Sequence, residues 1–437
     1  MMIEIILIIT IISILYINFL HMFLWFESKN SLIKNNKKTI FPSISILVSA
    51  YNEEKNIYSL IKNFIELNYP KNKIEIIFVD DNSSDKTFEY MKKGKRILEK
   101  NEIKTKILKN EERKGKAYSL NRALKIAKGR FVAVIDADSI LEKDSLKNCI
   151  KHFYDGNRLN KKVAAVAANI LVKNPKTMLQ KLQNLEFIMV SCFRKLQEKI
   201  NAIMVTPGPL SVFRRDILLK LGGFDENNLT EDIEIAWRIL ANNYKIRMAF
   251  DAKAWTEYPK NLKKWWMQRT RWNLGGFQTL GKYLRYLRRK TNLRKFIIPY
   301  SFIGYTLTTL GVFISVYLIF NSIQNFLLYV LETMKYGTNP FQRFEIKYAI
   351  DLFTIFGVII FLSSLYLISI SFDSYKFLKN YSKDENNKVD KNHKFDKISL
   401  ILFPTAYILL FPLVLIYSIF KFFEIKRKNI SKAWLTK

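Results

Sequence analysis

The sequence predicts an α/β domain built on a doubly wound parallel sheet and joined to membrane-spanning helices. Three observations carry this expectation. From Pro42 onward, short apolar runs of strand length alternate with amphipathic stretches of helical period. Two of those runs end in carboxylates, at Asp80-Asp81 and at Asp136-Ala137-Asp138, where open α/β sheets place their ligands. Toward both ends of the chain lie apolar runs of roughly twenty residues, the length that crosses a bilayer, flanked by Lys and Arg.

Composition narrows the function classes. The 437 residues carry 71 Lys and Arg against 38 Asp and Glu, a formal charge of +33, and 49% are hydrophobic. A basic chain can bind nucleic acid, but here the cations flank apolar segments rather than a recognisable reading module, which fits the cytoplasmic edges of membrane spans. Cys149 and Cys192 belong to no CxxC or Cys/His cluster, so neither a disulfide framework nor a zinc site is indicated. His21, His152 and His393 fall outside every motif, which argues against a His-based triad.

Met1–Phe26 is apolar apart from Glu4, Thr10, Ser13, Asn18 and His21, and lacks the small-residue cleavage site of a signal peptide. Lys29, Lys34, Lys37 and Lys38 follow it, so residues 1–27 are expected to be an uncleaved anchor with the next domain, 40–260, in the cytoplasm. Ile44–Ser49 reads as the first strand, leading through Tyr51 and Glu53 into an amphipathic helix. Ile74–Val79 is the second; Asp80 and Asp81 at its end can bond a base or ribose, or cap the helix that follows, as can Ser84 or Asp85. Thr105–Leu108 is the third strand, and Lys114-Gly115-Lys116 opens a helix over 117–127. Lys116 at a helix start can meet a diphosphate, although a solvated lysine is the commoner case.

Phe131–Asp138, FVAVIDAD, closes the unit with five apolar residues and two carboxylates. Oxygen ligands one residue apart suit Mg²⁺ or Mn²⁺, which bridges phosphate oxygens. A solvated turn is the commoner reason for a lone DxD, so the motif needs support from elsewhere. No G-x-G-x-x-G or P-loop lysine signature is present.

Val163–Ala168 is a further buried strand, and residues 177–200 form a helix with one apolar face through Leu182, Leu185, Met189, Cys192 and Leu196. Thr206-Pro207-Gly208-Pro209 makes a sharp turn. Leu229-Thr230-Glu231-Asp232 opens a helix over 233–241, with Thr230 as its cap and the acidic pair complementing its dipole. Asp232 becomes a candidate general base if it faces the same cleft as Asp138. Residues 261–290 are amphipathic, rich in Trp, Arg and Lys, and suited to the membrane interface; they contain Gln268-Arg269-Thr270-Arg271-Trp272. About three spans are expected within 296–420, at Phe296–Phe320, Ile350–Ser371 and Ile398–Phe420, followed by a basic tail over 421–437. Three spans would leave that tail outside, whereas its charge favours the inside; either Pro404 and Pro412 break the last span into a hairpin, or residues 321–333 also enter the membrane.

Acidic strand ends, DxD, TED and Q-x-x-R-W therefore follow one another inside an α/β domain that leads into membrane spans. This combination resembles the membrane-bound family 2 glycosyltransferases, the group that contains cellulose, chitin, hyaluronan and poly-N-acetylglucosamine synthases. The likeness covers roughly 44–276, and the runs TEDIEIAWRILANNYKI and QRTRWNLGG bring it nearest to the poly-N-acetylglucosamine branch. The resemblance implies a GT-A-type domain, a Rossmann-like mixed sheet, with roles carried residue by residue. Tyr51, Glu53 and Asp81, with Asp80 beside them, would hold the nucleoside. Asp136 and Asp138 would hold the diphosphate, Asp138 through Mg²⁺ or Mn²⁺, and Lys116, from its place at a helix start, could meet the same group. Asp232 would deprotonate the acceptor hydroxyl, while Glu231, Gln268, Arg271 and Trp272 would cover the diphosphate and the acceptor end.

The implied activity is inverting transfer of N-acetylglucosamine or a similar hexose from a nucleotide-sugar donor, a UDP-sugar first, to a growing polysaccharide at the cell membrane. Single addition to a lipid or lipid-linked sugar is the alternative, and an inactive membrane scaffold binding nucleotide or glycan is the third. Membrane lipids, a second copy of the chain or a small accessory membrane protein are the expected partners; nucleic acid is not.

Overall fold

A computed structural model describes residues 2–28, 40–288, 291, 293–336, 358–359, 361–370, 372 and 397–428. After helix α1 (Met2–Ser28), the α/β domain begins with β1 (Ile44–Ala50), α2 (Glu54–Glu66), β2 (Ile74–Asp80), α3 (Thr87–Lys100), β3 (Lys104–Lys109), α4 (Lys116–Ile126) and β4 (Phe131–Val134). These four strands are parallel, in the order β3-β2-β1-β4. Strands buried on both faces read as unbroken apolar runs, and β2 is buried at every position. Side chains alternate across β1: Ile44, Ile46 and Val48 join the core under α2 and α3, while Leu47 joins the core formed with α4.

The second half adds β5 (Ile140–Leu141), α5 (Ser145–Lys151), the small ribbon β6 (Tyr154–Asp155) and β7 (Arg158–Leu159), β8 (Val163–Val172) and α6 (Met178–Lys199). Then come β9 (Ser211–Arg214), α7 (Arg215–Lys220), α8 (Glu231–Ala241) and β10 (Lys245–Thr256). The sheet continues β4-β9-β8-β10-β5 to eight strands. Here the expectation of a wholly parallel sheet is corrected. β9 runs antiparallel to both β4 and β8, and β5 runs antiparallel to β10. The reason lies in the connection: after α6 the chain returns through the Thr206–Pro209 turn to the carboxyl ends of the parallel strands, where Gly208 meets Asp136, so β9 starts there and runs back against β4 and β8. The result is the GT-A-like mixed sheet that the resemblance implied.

β10 has no counterpart among the strands expected from the sequence. Lys245, Arg247, Asp251 and Lys253 interrupt its apolar run, and the register shifts between Ala249 and Lys253. Its charges find partners on α5 and the ribbon: Asp251 lies 3.3 Å from His152 and 3.4 Å from Lys151, and Arg247 lies 2.9 Å from Asp155.

Outside the sheet stand α9 (Leu262–Tyr283), α10 (Ile298–Lys335), a helix α11 (Phe361–Ile370), α12 (Lys397–Leu402) and α13 (Leu410–Lys428). Asn261 caps α9 by accepting from Lys264 N at 3.0 Å. Among the described residues, three segments are long and apolar enough to cross a membrane: Ile8–Glu27, Leu293–Phe313 and Ile398–Ile425. Residues 321–333 continue α10 rather than forming a separate element. Of the span expected at 350–371, the described part is mainly α11; residues 351–357, 373–396 and 429–437 lie outside the described residues. Thr230 does stand at the start of α8, but its hydroxyl donates to Asn228 Oδ1 at 3.2 Å instead of capping the helix.

Candidate active site

The carboxyl ends of β1, β2 and β4 open into one cleft of about 890 Å³. Tyr51, Glu53, Asp81, Lys116, Asp136, Asp138, Gln268 and Arg271 all line it, so eight residues separated by as many as 220 positions meet at one place. Each is put there by local structure. Asn52 turns the chain after β1 in the left-handed region, at φ 54°, where Asn is tolerated. Its Oδ1 accepts from Ser84 N at 2.9 Å and its N–H donates to Ser83 Oγ at 3.0 Å, which clasps the β1 loop to the β2 loop.

Asp81 accepts from Gly115 N at 2.8 Å, Lys114 N at 3.0 Å and Asn110 Nδ2 at 2.6 Å. It therefore fixes the loop that starts α4, and with it Lys116. Asp80 is corrected: it is fully buried, its carboxylate accepts from Ser83 N, and it does not line the cleft. Successive residues at a strand end face opposite ways, so only one of the pair can look into the cleft. The Arg113 guanidinium lies 3.9 Å above the Tyr51 ring, and burial holds the Glu53 carboxyl above its ordinary range.

Lys116 Nζ lies 2.6 Å from Asp136 Oδ1 and 2.9 Å from Glu231 Oε1. Burial works against its charge, but Asp136 and Glu231 outweigh it and hold the ammonium above the usual lysine range. Gly208 is what lets the Thr206–Pro209 turn lie across this pair. A Cβ there would come 2.5 Å from Lys116 Nζ and 2.8 Å from an Asp136 oxygen. The same turn is tied to α8 by Thr206 Oγ1, which donates to the Asp232 carbonyl at 2.9 Å.

Asp138 accepts from Thr256 Oγ1 at 2.9 Å, at the end of β10. Burial, with the neighbouring charge of Asp136, pushes its carboxyl up to about 7. Burial and the charge of Glu231 likewise push Asp232 up to about 6, opposed by Lys116 and Arg271. Asp138 thus carries negative charge against its surroundings, the condition that a bound cation relieves. Among the described residues no group of three or more His, Cys, Asp or Glu is arranged to hold a metal by itself. This donor set fits Mg²⁺ or Mn²⁺ held by one or two carboxylates with substrate phosphates completing the shell.

Helical phase divides the Q-x-x-R-W motif. Gln268 and Arg271, three apart, face the cleft. Arg269 and Trp272, also three apart, face an adjoining cavity of about 370 Å³ between α6, α9 and the apolar helices, lined further by Glu186, Asn273, Tyr300, Tyr305 and Phe411. Trp272 is therefore beside the cleft rather than in it.

Residues 42–275 match the family model described as "Glycosyltransferase like family 2". The chain belongs to glycosyltransferase family 2. A probable glycosyltransferase of Bacillus subtilis (strain 168) is 34% identical over 301 residues, 67% of this chain and 69% of that one. The poly-β-1,6-N-acetyl-D-glucosamine synthase of Staphylococcus aureus (strain COL) is 32% identical over 238 residues, covering 54% of this chain. That match spans 55% of the synthase, so the chain covers about half the length of the synthases it resembles. Among solved structures, a mannosyltransferase from Pyrobaculum calidifontis in complex with GDP-Man and Mn²⁺ superposes with a TM-score of 0.54 and 25% identity, over 69% of this chain and 81% of that one. This glycosyltransferase is accordingly an enzyme of GT-A-like fold.

Sequence reasoning missed several residues of this glycosyltransferase's site. Arg113, Lys263 and Lys264 line the cleft without any local pattern to single them out. Thr256 was hidden because its strand was. Gly208 lay in a turn already noted, but only the folded chain reveals what a side chain there would strike.

Proposed function

We propose that the chain is a membrane-bound, metal-dependent, inverting glycosyltransferase that moves N-acetylglucosamine or a similar hexose from a UDP-sugar to the end of a growing glycan. The observation that carries this reading is one cleft lined by Asp81, Asp136, Asp138, Gln268 and Arg271, with Asp232 within electrostatic reach and an aromatic cavity next door. Tyr51, Glu53 and Asp81 would hold the nucleoside, and Asp136 and Lys116 would meet the diphosphate. Asp138 would hold Mg²⁺ or Mn²⁺, which supplies charge neutralisation for the leaving nucleoside diphosphate. Arg271 stabilises the same developing charge from the opposite wall, since the positive groups stand where negative charge appears. Gln268 and Glu231 border the space where the acceptor end meets the donor. Asp232 accepts the proton of the attacking hydroxyl. With one base and no covalent nucleophile assigned, the sugar is displaced once and its configuration inverts.

The glycan end would rest on Trp272 in the second cavity, whose Trp, Tyr and Phe faces with Asn and Ser among them suit a sugar. Relatives that make a glucosamine polymer support chain growth over single addition. The cations that follow α1 support a cytoplasmic catalytic domain in a multi-pass cell-membrane protein. Among the described residues three long apolar segments could line a path for a polar chain, and a second copy or a small accessory membrane protein would help to shield it from lipid.

The test is nucleotide release by the purified full chain from UDP-N-acetylglucosamine, UDP-glucose and GDP-mannose, with Mn²⁺ or Mg²⁺ and then with chelator. Chelator-sensitive release from a UDP-sugar is expected. Release from none of them, or release that survives chelation, overturns the reading.

A further inference from the structure

Arg269 lies within Q-x-x-R-W but takes no part in the donor cleft. Its Nη2 donates to Glu186 Oε2 on α6 at 2.7 Å. The Tyr407 hydroxyl donates to the same oxygen at 2.6 Å and accepts from Trp265 Nε1 at 2.9 Å. Trp265 and Tyr407 are almost wholly buried, Arg269 is 3% exposed, and Glu186 is 7% exposed. The guanidinium lies 4.2 Å over the Trp272 ring, and Trp265, Phe187 and Phe411 stand 5.5 to 5.8 Å from it on other sides. Its Nε and Nη1 are buried and have no hydrogen-bond partner.

A guanidinium buried to this degree is costly to desolvate, and an apolar side chain of similar shape would fill the same space more cheaply. What the cation adds is a plane of fixed orientation. Glu186 and Tyr407 hold one edge of it, and the face is pressed against the indole. Tyr407 belongs to a π-helical turn, Phe403–Tyr407, inside the last membrane-length segment, Ile398–Ile425. The chain of contacts therefore runs from that segment through Tyr407, Glu186 and Arg269 to Trp272.

We propose that Arg269, locked by Glu186 and Tyr407, is a positioning residue that holds the Trp272 ring for the acceptor sugar and so ties the last membrane segment to the acceptor end of the reaction. The inference rests on the reading of Trp272 as acceptor platform. Arg269 covers one face of the half-buried indole, so a sugar has the remaining surface, and its angle is the one that Arg269 sets.

The test uses the full chain in lipid nanodiscs with UDP-N-acetylglucosamine and Mn²⁺, reading hydrolysis of the donor to free N-acetylglucosamine and product length side by side. Arg269→Met is expected to slow polymer formation about tenfold, the size a desolvated cation–π contact supports, with donor hydrolysis to free sugar changed less than about twofold. Tyr407→Phe is expected to shorten the product while lowering the melting temperature by only a few degrees, because the buried Trp265 Nε1 loses its acceptor and Glu186 loses one donor. Acting through the indole, Arg269→Met should add nothing in a Trp272→Phe background, so the double variant matches Trp272→Phe alone. Losses that multiply in the double variant, or polymer formation and donor hydrolysis falling together, overturn the proposal. Should Arg269→Met fail to fold, Tyr407→Phe decides: wild-type product length overturns it. A wild-type protein that makes no polymer instead defeats the functional reading, whereas a polymer of unchanged length from Arg269→Met defeats only this inference.

Discussion

Replacing Gly208 by Ala adds one methyl group, and its destination is known. The new carbon would stand 2.5 Å from Lys116 Nζ and 2.8 and 3.1 Å from the two Asp136 oxygens. Comfortable contact needs about 3.5 Å or more, so the ammonium, the turn or both must shift by roughly 1 Å. Lysine ends usually yield easily, but this one is held at 2.6 Å by Asp136 and 2.9 Å by Glu231. The turn is equally constrained through Thr206 and the Asp232 carbonyl. Overpacking of this kind costs about 1–3 kcal/mol, which leaves the protein folded. A 1 Å displacement among groups that meet a diphosphate costs about 10²-fold in turnover. Gly208→Ala should therefore lose turnover far out of proportion to stability, measured as UDP release beside a thermal melt on one preparation. Lys116→Ala removes the nearest of the three contacts and leaves the Asp136 oxygens at 2.8 and 3.1 Å, so Gly208→Ala should cost less in a Lys116→Ala background than in the wild type. Full turnover in Gly208→Ala, or a loss matched by the unfolded fraction, refutes the reasoning.

Asp138→Asn should abolish transfer by removing a cation ligand; near-normal turnover that resists chelator would contradict that role. Asp232→Asn should still bind UDP, measured by calorimetry, yet lose about 10²-fold or more in turnover, and because Asp232 is the second residue of α8 rather than its cap, and burial disfavours its charge, the fold should survive the neutral isostere. Burial and Glu231 raise the Asp232 carboxyl to about 6, and a base works only when deprotonated, so turnover should fall as pH drops through that value. A flat rate between pH 5 and pH 8, read in a series of buffers (roughly tenfold per unit is the expected limiting slope), would rule Asp232 out as the base.

How far the sequence was legible depended on what each element must bury. β1, β2 and β4 stood out because both of their faces are covered, leaving apolar runs such as IEIIFV and FVAV. The direction of β9 did not, since a four-residue strand with three buried side chains looks alike in either orientation. β10 was obscured by Arg247, Asp251 and Lys253, whose partners come from segments distant in sequence. At the site, carboxylates at strand ends were visible, but choosing Asp81 over Asp80 required the phase of the strand. The same holds for α9, where one helical step separates Gln268 in the donor cleft from Arg269 beside Trp272.

Chain growth is the central claim, and the length of the product tests it most directly. The full chain in liposomes is supplied with radiolabelled UDP-N-acetylglucosamine and Mn²⁺, and the products are sized while most of the donor remains. The account predicts long polymer at that early stage, sensitive to chelator and lost in Asp138→Asn. Products extended by a single sugar, whatever the acceptor supplied, would contradict it.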